Sequence, residues 1–173
     1  MPKYFLFIIK AVLSIFVGAA LALPILMPEY GSGFMREMQI LGLTGSLIVI
    51  AVFLALVSFY CRDLQRVLDK IQPQNRNAKP NSVWLMFLLP YNFIEDFFIM
   101  YNIAVSIKRE AAQNSSLQFS KRYGLFSGIG WCSAQIISLL PGVIGQTAGL
   151  VALILWVAHW VFVRKALRLL RSQ

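Results

Sequence analysis

The chain has 173 residues, of which 58% are hydrophobic and 13% charged, and its formal net charge is +9. A water-soluble domain has roughly 25% charged residues, so this composition excludes an ordinary soluble domain, and the length allows one compact unit. Nucleic-acid binding is not expected, because the basic residues form short clusters between apolar runs instead of a basic face.

The first apolar run, residues 4–27, predicts a transmembrane helix long enough to cross a hydrocarbon core of about 30 Å. Lys10 lies early in this run. Its ammonium group is expected to extend to the lipid headgroups, and a functional intramembrane lysine is the alternative. The second run, residues 40–60, contains no charged residue and predicts a second transmembrane helix.

The second run continues into an amphipathic helix over residues 61–71. Its apolar residues recur at helical spacing, and the charged residues occupy the other face. The apolar stripe, which we expect to lie on lipid or on a partner, consists of Leu64, Val67, Leu68 and Ile71.

Residues 83–107 form a third apolar stretch that differs from the others. Pro90 interrupts it, and polar residues recur through it at roughly helical spacing. An acid at the centre of a membrane-spanning helix costs about 2.5–3.5 kcal/mol on insertion scales, so the stretch predicts a re-entrant or interfacial segment. A fifth crossing, buried inside an oligomer, is the alternative. The polar residues of the stretch are Asn92, Glu95, Asp96, Asn102 and Ser106.

The last apolar region, residues 123–163, is about twice as long as one crossing. Pro141 and Gly142 lie near its centre, and proline followed by glycine is typical of a turn. The region therefore predicts two helices, over residues 123–140 and 146–163. With the first two runs, these give an all-α bundle of four transmembrane helices in one membrane domain, residues 1–173.

The distribution of lysine and arginine supports four crossings. With four, fifteen of the sixteen lysines and arginines fall on one side of the membrane, and only Arg36 lies on the other. Basic residues concentrate on the cytoplasmic side of membrane proteins. Both termini are therefore expected in the cytoplasm, and the basic face is expected to attract anionic lipid. Five crossings would split the basic residues between the two sides.

Few residues could carry chemistry. The candidate binding residues, for a transport pathway or for docking, are Asn92, Glu95, Asp96, Asn102 and His159. The two adjacent acids point about 100° apart on a helix, and a salt bridge to Lys108, to Arg109 or to residues 62–79 is the favoured interpretation for them. His159 is expected to be a hydrogen-bonded interfacial side chain, with an axial ligand shared with a partner as the alternative.

No catalytic, metal or cofactor motif is present in the sequence, so we expect neither an enzyme nor a cofactor. The two cysteines, Cys61 and Cys132, lack the spacing of a metal or redox motif and are expected to be packing residues. Trp84, Trp156 and Trp160 are expected in an interfacial aromatic belt, whereas Trp131 is expected to pack within the bundle.

The second half of the chain resembles a set of small bacterial membrane proteins with no known activity. The matching positions are Trp84, Pro90, Asn92, Ser106, Lys108-Arg109-Glu110, Pro141 and residues 149–160. The relatives have a tryptophan where residues 94–97 stand, and Glu95 and Asp96 depart from that pattern. The resemblance implies a multi-pass architecture and a bacterial inner membrane, and it implies no activity.

These features predict a small accessory or scaffold subunit that binds a larger membrane protein complex. Small residues four apart in most of the runs would let helices approach closely, within the chain or between copies. A homo-oligomeric channel or transporter, with residues 83–107 lining the pathway, is the alternative. A lipid-modifying enzyme ranks third, because such a site would need several acids or a histidine pair.

Overall fold

The computed structural model describes residues 3–26 and 33–171, and these ranges form an all-helical protein without strands. The described ranges contain five α-helices joined by loops and by three short 3-10 helices. The α-helices are α1 (Lys3–Leu26), α2 (Gly33–Lys70), α3 (Asn92–Ala111), α4 (Leu125–Ile137) and α5 (Gly142–Arg171); the 3-10 helices are Pro73–Asn75, Pro80–Phe87 and Ser115–Phe119. The predicted all-α class is confirmed.

Three of the described helices are long and apolar enough to cross a membrane, and they contain the segments Tyr4–Ala22, Ile40–Lys70 and Gly142–Leu170. Helix α4 is apolar but has only 13 residues, a length of about 20 Å. A crossing helix needs about 20 residues. The chain reverses between α4 and α5 at the predicted turn, where Gly142 has a φ of +77°, a conformation that favours glycine.

The hydrophobic core lies at one end of the molecule, where the last turns of α2 and α5 pack around α3. Helices α2 and α5 run parallel there, because Phe53 contacts Trp156 and Tyr60 contacts His159. The apolar stripe of residues 61–71 was expected on lipid or on a partner, and this expectation is wrong. The stripe is buried within the chain, because α3 and α5 present apolar residues to it: Ile99, Met100, Ile103, Ile107, Val163 and Leu167.

The chain leaves this end of the molecule in the segment between α2 and α3, and it returns to this end along α3. The backbone N–H of Asn77 donates to Ser106 Oγ at 2.8 Å, and the Asn77 side chain donates to Asn102 Oδ1 at 2.7 Å. Further along α3, Glu110 accepts from the Asn75 side chain at 2.7 Å. The residues before the 3-10 helix Pro80–Phe87 and the last turns of α3 are therefore neighbours.

Helix α1 packs antiparallel to α3. Gly18 of α1 lies close to the start of α3, because an added Cβ on Gly18 would lie 3.2 Å from Cγ of Pro90, two residues before α3 begins. Lys10, two turns earlier in α1, contacts Glu95, which lies further along α3. Most other side chains of α1 are exposed. Helix α1 is thus joined to the rest of the described chain mainly through α3.

The outer half of α2, residues 40–57, consists of exposed and half-buried residues. None of the 18 residues in its most apolar window is buried, and the mean hydropathy of this window is 2.7. Near its start Gly42 has a φ of 66° and a ψ of 179°, which interrupts the helix. Gly42 and Ser46 are one of the pairs of small residues four positions apart. Because of this interruption, they do not lie on one continuous helical face.

Candidate functional site

The first turns of α3 bring a buried ion pair into contact with α1. Lys10 Nζ donates to Glu95 Oε2 at 2.6 Å, and the side chains of Lys10 and Glu95 are only 11% and 9% exposed. The same ammonium group lies 3.8 Å from the centre of the Phe98 ring, a cation–π contact. Two charged groups that would each be costly in an apolar environment therefore neutralise each other across two helices.

This ion pair corrects two expectations. Lys10 does not extend to the headgroups, because its ammonium group is bound by Glu95. Glu95 does not pair with Lys108, with Arg109 or with residues 62–79. The physical reason is the geometry of α3, since Lys108 lies 13 residues further along the helix, a rise of about 20 Å, and is exposed to solvent at its other end.

Asp96 lies on a different side of α3 and is the more deeply buried acid. It is 2% exposed, and its Oδ1 atom is buried without a hydrogen-bond partner in the described structure. No ion pair of Asp96 occurs among the described residues, so the salt bridge expected for this acid is not formed.

Asn92 precedes Asp96 by four residues, so the two side chains lie on the same face of α3. Asn92 is 7% exposed, and its Oδ1 atom is also buried without a partner in the part of the chain that the structure describes. Buried polar atoms nearly always have a partner. One face of α3 therefore carries two acceptor oxygens that could bind a proton donor, a water molecule or a small cation.

A second polar contact joins α2 to α5 beside this face. The hydroxyl of Tyr60 lies 2.7 Å from Nδ1 of His159, and both residues are almost completely buried. The Tyr60 hydroxyl also lies 3.4 Å from Sδ of Met100 on α3. His159 was expected to be hydrogen-bonded, and it is, although its surroundings are the protein interior and not the membrane interface.

Aromatic rings enclose this contact. Trp131, Trp156 and Trp160 each lie 5.8 Å from the Tyr60 ring, measured between ring centres. Trp156 is only 5% exposed, so its expected place in an aromatic belt is wrong, whereas the half-buried Trp131 packs against the core as expected. The sequence analysis missed Tyr60. The available signal was its position at the end of the run 40–60, which matches the position of His159 near the end of the run 123–163.

The remaining candidate, Asn102, has a structural role, because its side-chain oxygen accepts the hydrogen bond from Asn77. Another buried acid that the sequence analysis missed, Asp63, lies at the basic end of the bundle. It accepts from the indole N–H of Trp160 at 2.9 Å and lies 3.8 Å from the Arg164 guanidinium group. The basic clusters near residues 62–66 and 164 thus share one carboxylate.

The arrangement offers acceptor oxygens that could hold a proton or a small cation. In the described ranges no three histidine, cysteine or acidic side chains are placed to hold a metal ion together. Both cysteines are buried free thiols. In comparisons with known proteins, no family model, no curated protein and no solved structure matches this chain.

Proposed function

We propose that this protein is a non-enzymatic accessory or scaffold subunit of the bacterial inner membrane. It binds a larger membrane protein complex through the exposed faces of α1 and of the outer half of α2. The observation that carries this proposal is that none of residues 40–57 is buried; the contacts of this span with the described core lie at its inner end, at Phe53 and Val57. Helix α1 contributes a second exposed apolar surface, since only 11% of its most apolar window is buried.

The contrast between the two ends of the molecule supports a docking role. At the basic end, α2, α3 and α5 form a complete core with few exposed apolar residues. At the other end, α1 and the outer half of α2 each present exposed apolar side chains. Helices in lipid gain little from apolar contact alone and associate through close packing. Two separate spans are therefore available to helices of another protein.

Photo-crosslinking in the native membrane tests this proposal. A photoreactive residue at Ile48 or Val52, both exposed on α2, is expected to capture a second protein of one discrete mass. The same residue at Gln113, exposed after α3, is the control and should not capture it. Purification of the tagged protein in mild detergent should also recover a stoichiometric partner. Capture of lipid alone, with recovery of the chain alone, would contradict the proposal.

A specific observation also favours a second candidate, a homo-oligomeric channel or transporter. The unpartnered oxygens of Asn92 and Asp96 lie in the first turns of the helix that also carries Glu95 of the Lys10–Glu95 ion pair, and ionisable groups within membrane segments commonly mark ion or proton pathways. This candidate expects proton or cation flux in reconstituted vesicles and its loss in Asp96→Asn. An absence of flux, or flux unchanged by Asp96→Asn, would remove it. Crosslinks from Ile48 to a second copy of the chain would support it over the accessory role.

Both candidates use the same topology, with four crossings and residues 83–107 as a re-entrant segment. The hydrogen bonds that bring Asn77 next to Asn102 and Ser106 support re-entry, because a crossing segment would separate its two ends by a bilayer. Cysteines introduced at the exposed residues Gln74 and Gln113 should both react with a membrane-impermeant maleimide from the cytoplasmic side only. Labelling from opposite sides would show that the segment crosses.

A further inference from the structure

An open depression of about 400 Å³ lies where the chain enters α4. Its lining combines a basic pair with two hydroxyl groups and two aromatic rings: Lys121, Arg122, Ser120, Ser127, Phe126 and Phe162. Phe162, in its wall, also lies against His159, with 6.0 Å between the ring centres. The combination of cations, hydroxyls and apolar rings in one depression suits an anionic amphiphile better than a purely polar or purely apolar molecule.

The positive charge of this depression is not compensated within the described chain. Lys121 and Arg122 are exposed, and neither forms an ion pair with a carboxylate there. The Arg122 guanidinium group instead lies 5.7 Å from the centre of the Phe126 ring. A third cation, Lys165, lies 4.5 Å from the Phe119 ring, which packs against Phe162 at 5.3 Å.

The surrounding backbone adds to this positive potential. Helix α4 begins at Leu125, three residues after Arg122. The Leu125 N–H donates to the Arg122 carbonyl, and the next N–H groups, of Phe126 and Ser127, belong to the first turn, where a helix supplies no intrahelical acceptor. Phosphate groups bind readily at such a position when cationic side chains are also present. Arginine, lysine and the Ser120 hydroxyl supply donors for a phosphate oxygen, whereas the Ser127 hydroxyl donates to the Gly124 carbonyl at 3.1 Å.

The apolar side of the depression favours a lipid over a free phosphate ion. Phe126 is 68% exposed, and it continues into the apolar residues of α4. If α4 enters the bilayer as proposed above, Lys121 and Arg122 lie at the height of the lipid phosphates and Phe126 lies beside the glycerol and the first acyl carbons. A free phosphate ion would gain nothing from the aromatic rings.

We propose that this depression binds the phosphate headgroup of an anionic glycerophospholipid such as phosphatidylglycerol. The phosphate contacts Lys121 and Arg122, the Ser120 hydroxyl adds a polar contact, and the acyl chains follow Phe126 along α4. The bound lipid holds the start of α4 at the cytoplasmic surface of the membrane. This assignment rests on the proposed topology but not on the partner that α1 and α2 bind.

Native mass spectrometry of the full-length protein in mild detergent tests the assignment. Added phosphatidylglycerol is expected to give a retained one-to-one adduct, and phosphatidylcholine is not, because its choline cation would face two cationic side chains. Each surface cation contributes about a fivefold increase in affinity. The double variant Lys121→Gln/Arg122→Gln should therefore bind phosphatidylglycerol about 25-fold more weakly.

The matched control is Lys108→Gln/Arg109→Gln, an exposed basic pair outside the depression that changes the net charge equally. It should keep the affinity within about twofold. Equal losses in the two double variants would overturn the proposal, since they would indicate non-specific charge attraction. Displacement of the lipid by millimolar inorganic phosphate would assign the depression to free phosphate and would also overturn it. An unchanged midpoint of unfolding in detergent shows that both variants are folded.

Discussion

The Lys10–Glu95 ion pair is expected to anchor α1 to α3, and a double-mutant cycle measures this anchor. Lys10→Met leaves the Glu95 carboxylate buried without its cation, and Glu95→Met leaves the ammonium group with only the Phe98 ring. Removing one partner of a buried ion pair costs about 3–5 kcal/mol. Replacing both partners with apolar residues of similar volume is often neutral or stabilising.

The sizes of the two single effects follow from the contacts of each residue. The lysine side chain is long enough to move its ammonium group toward the headgroups, so Glu95→Met should lower the free energy of unfolding by about 3 kcal/mol, the lower end of that range. The shorter Glu95 side chain, 9% exposed, has no such route, and Lys10→Met should cost about 4 kcal/mol. The double variant should cost less than either single variant.

A titration of the detergent-solubilised protein with sodium dodecyl sulphate, followed by tryptophan fluorescence, measures these free energies. The signal reports on the core, because Trp131 and Trp156 pack around Tyr60. Lys108→Met is the control for the loss of one exposed cation and should change the free energy by less than about 0.5 kcal/mol. If the effects of Lys10→Met and Glu95→Met simply add in the double variant, the two groups do not stabilise each other and the reasoning is refuted.

Two further predictions concern the close approach of Gly124 to α5 and the contact between Tyr60 of α2 and His159 of α5. Gly124→Ala should lower the free energy of unfolding by about 2–4 kcal/mol, because Gly124 has a φ of +78° and the added Cβ would lie 2.5 Å from the Phe162 ring. Gly142→Ala is the control, with a φ of +77° and no atom within 4 Å of its Cβ position, and it should cost only about 1–2 kcal/mol. Equal losses in the two variants would rule out the contact with Phe162. Tyr60→Phe should cost about 1–3 kcal/mol in the same titration, because it removes the hydrogen bond to His159; an unchanged free energy would show that this bond does not stabilise the fold.

The helices could be predicted from the sequence because their signals are local. An apolar run such as residues 40–60, or a turn at Pro141 and Gly142, is determined by a few consecutive residues. Burial of the apolar stripe of residues 61–71 was harder to predict. Its periodicity indicates an apolar face, but a face of this kind can cover lipid, a partner or the protein's own core. The choice depends on α3, which follows later in the chain.

The candidate site could be predicted only in part, because its contacts join residues far apart in sequence. The five candidate residues include four of the buried polar groups, Asn92, Glu95, Asp96 and His159. The partner of Glu95 is 85 residues away, and nearby basic residues offered plausible alternatives. The position of Tyr60 at the end of an apolar run was an ambiguous signal, because a tyrosine there is also typical of a membrane interface.

The polar contacts explain which helices this chain specifies and which it leaves open. In lipid, apolar side chains do not distinguish a neighbouring helix from acyl chains, so buried polar pairs do much to determine which helices meet. Tyr60 with His159 joins α2 to α5, and Lys10 with Glu95 joins α1 to α3. Residues 40–57 contain no charged residue, and within the described chain their contacts with the core lie at the inner end of the span, at Phe53 and Val57. Under the proposed docking role, close packing against another molecule determines the position of the rest of this span.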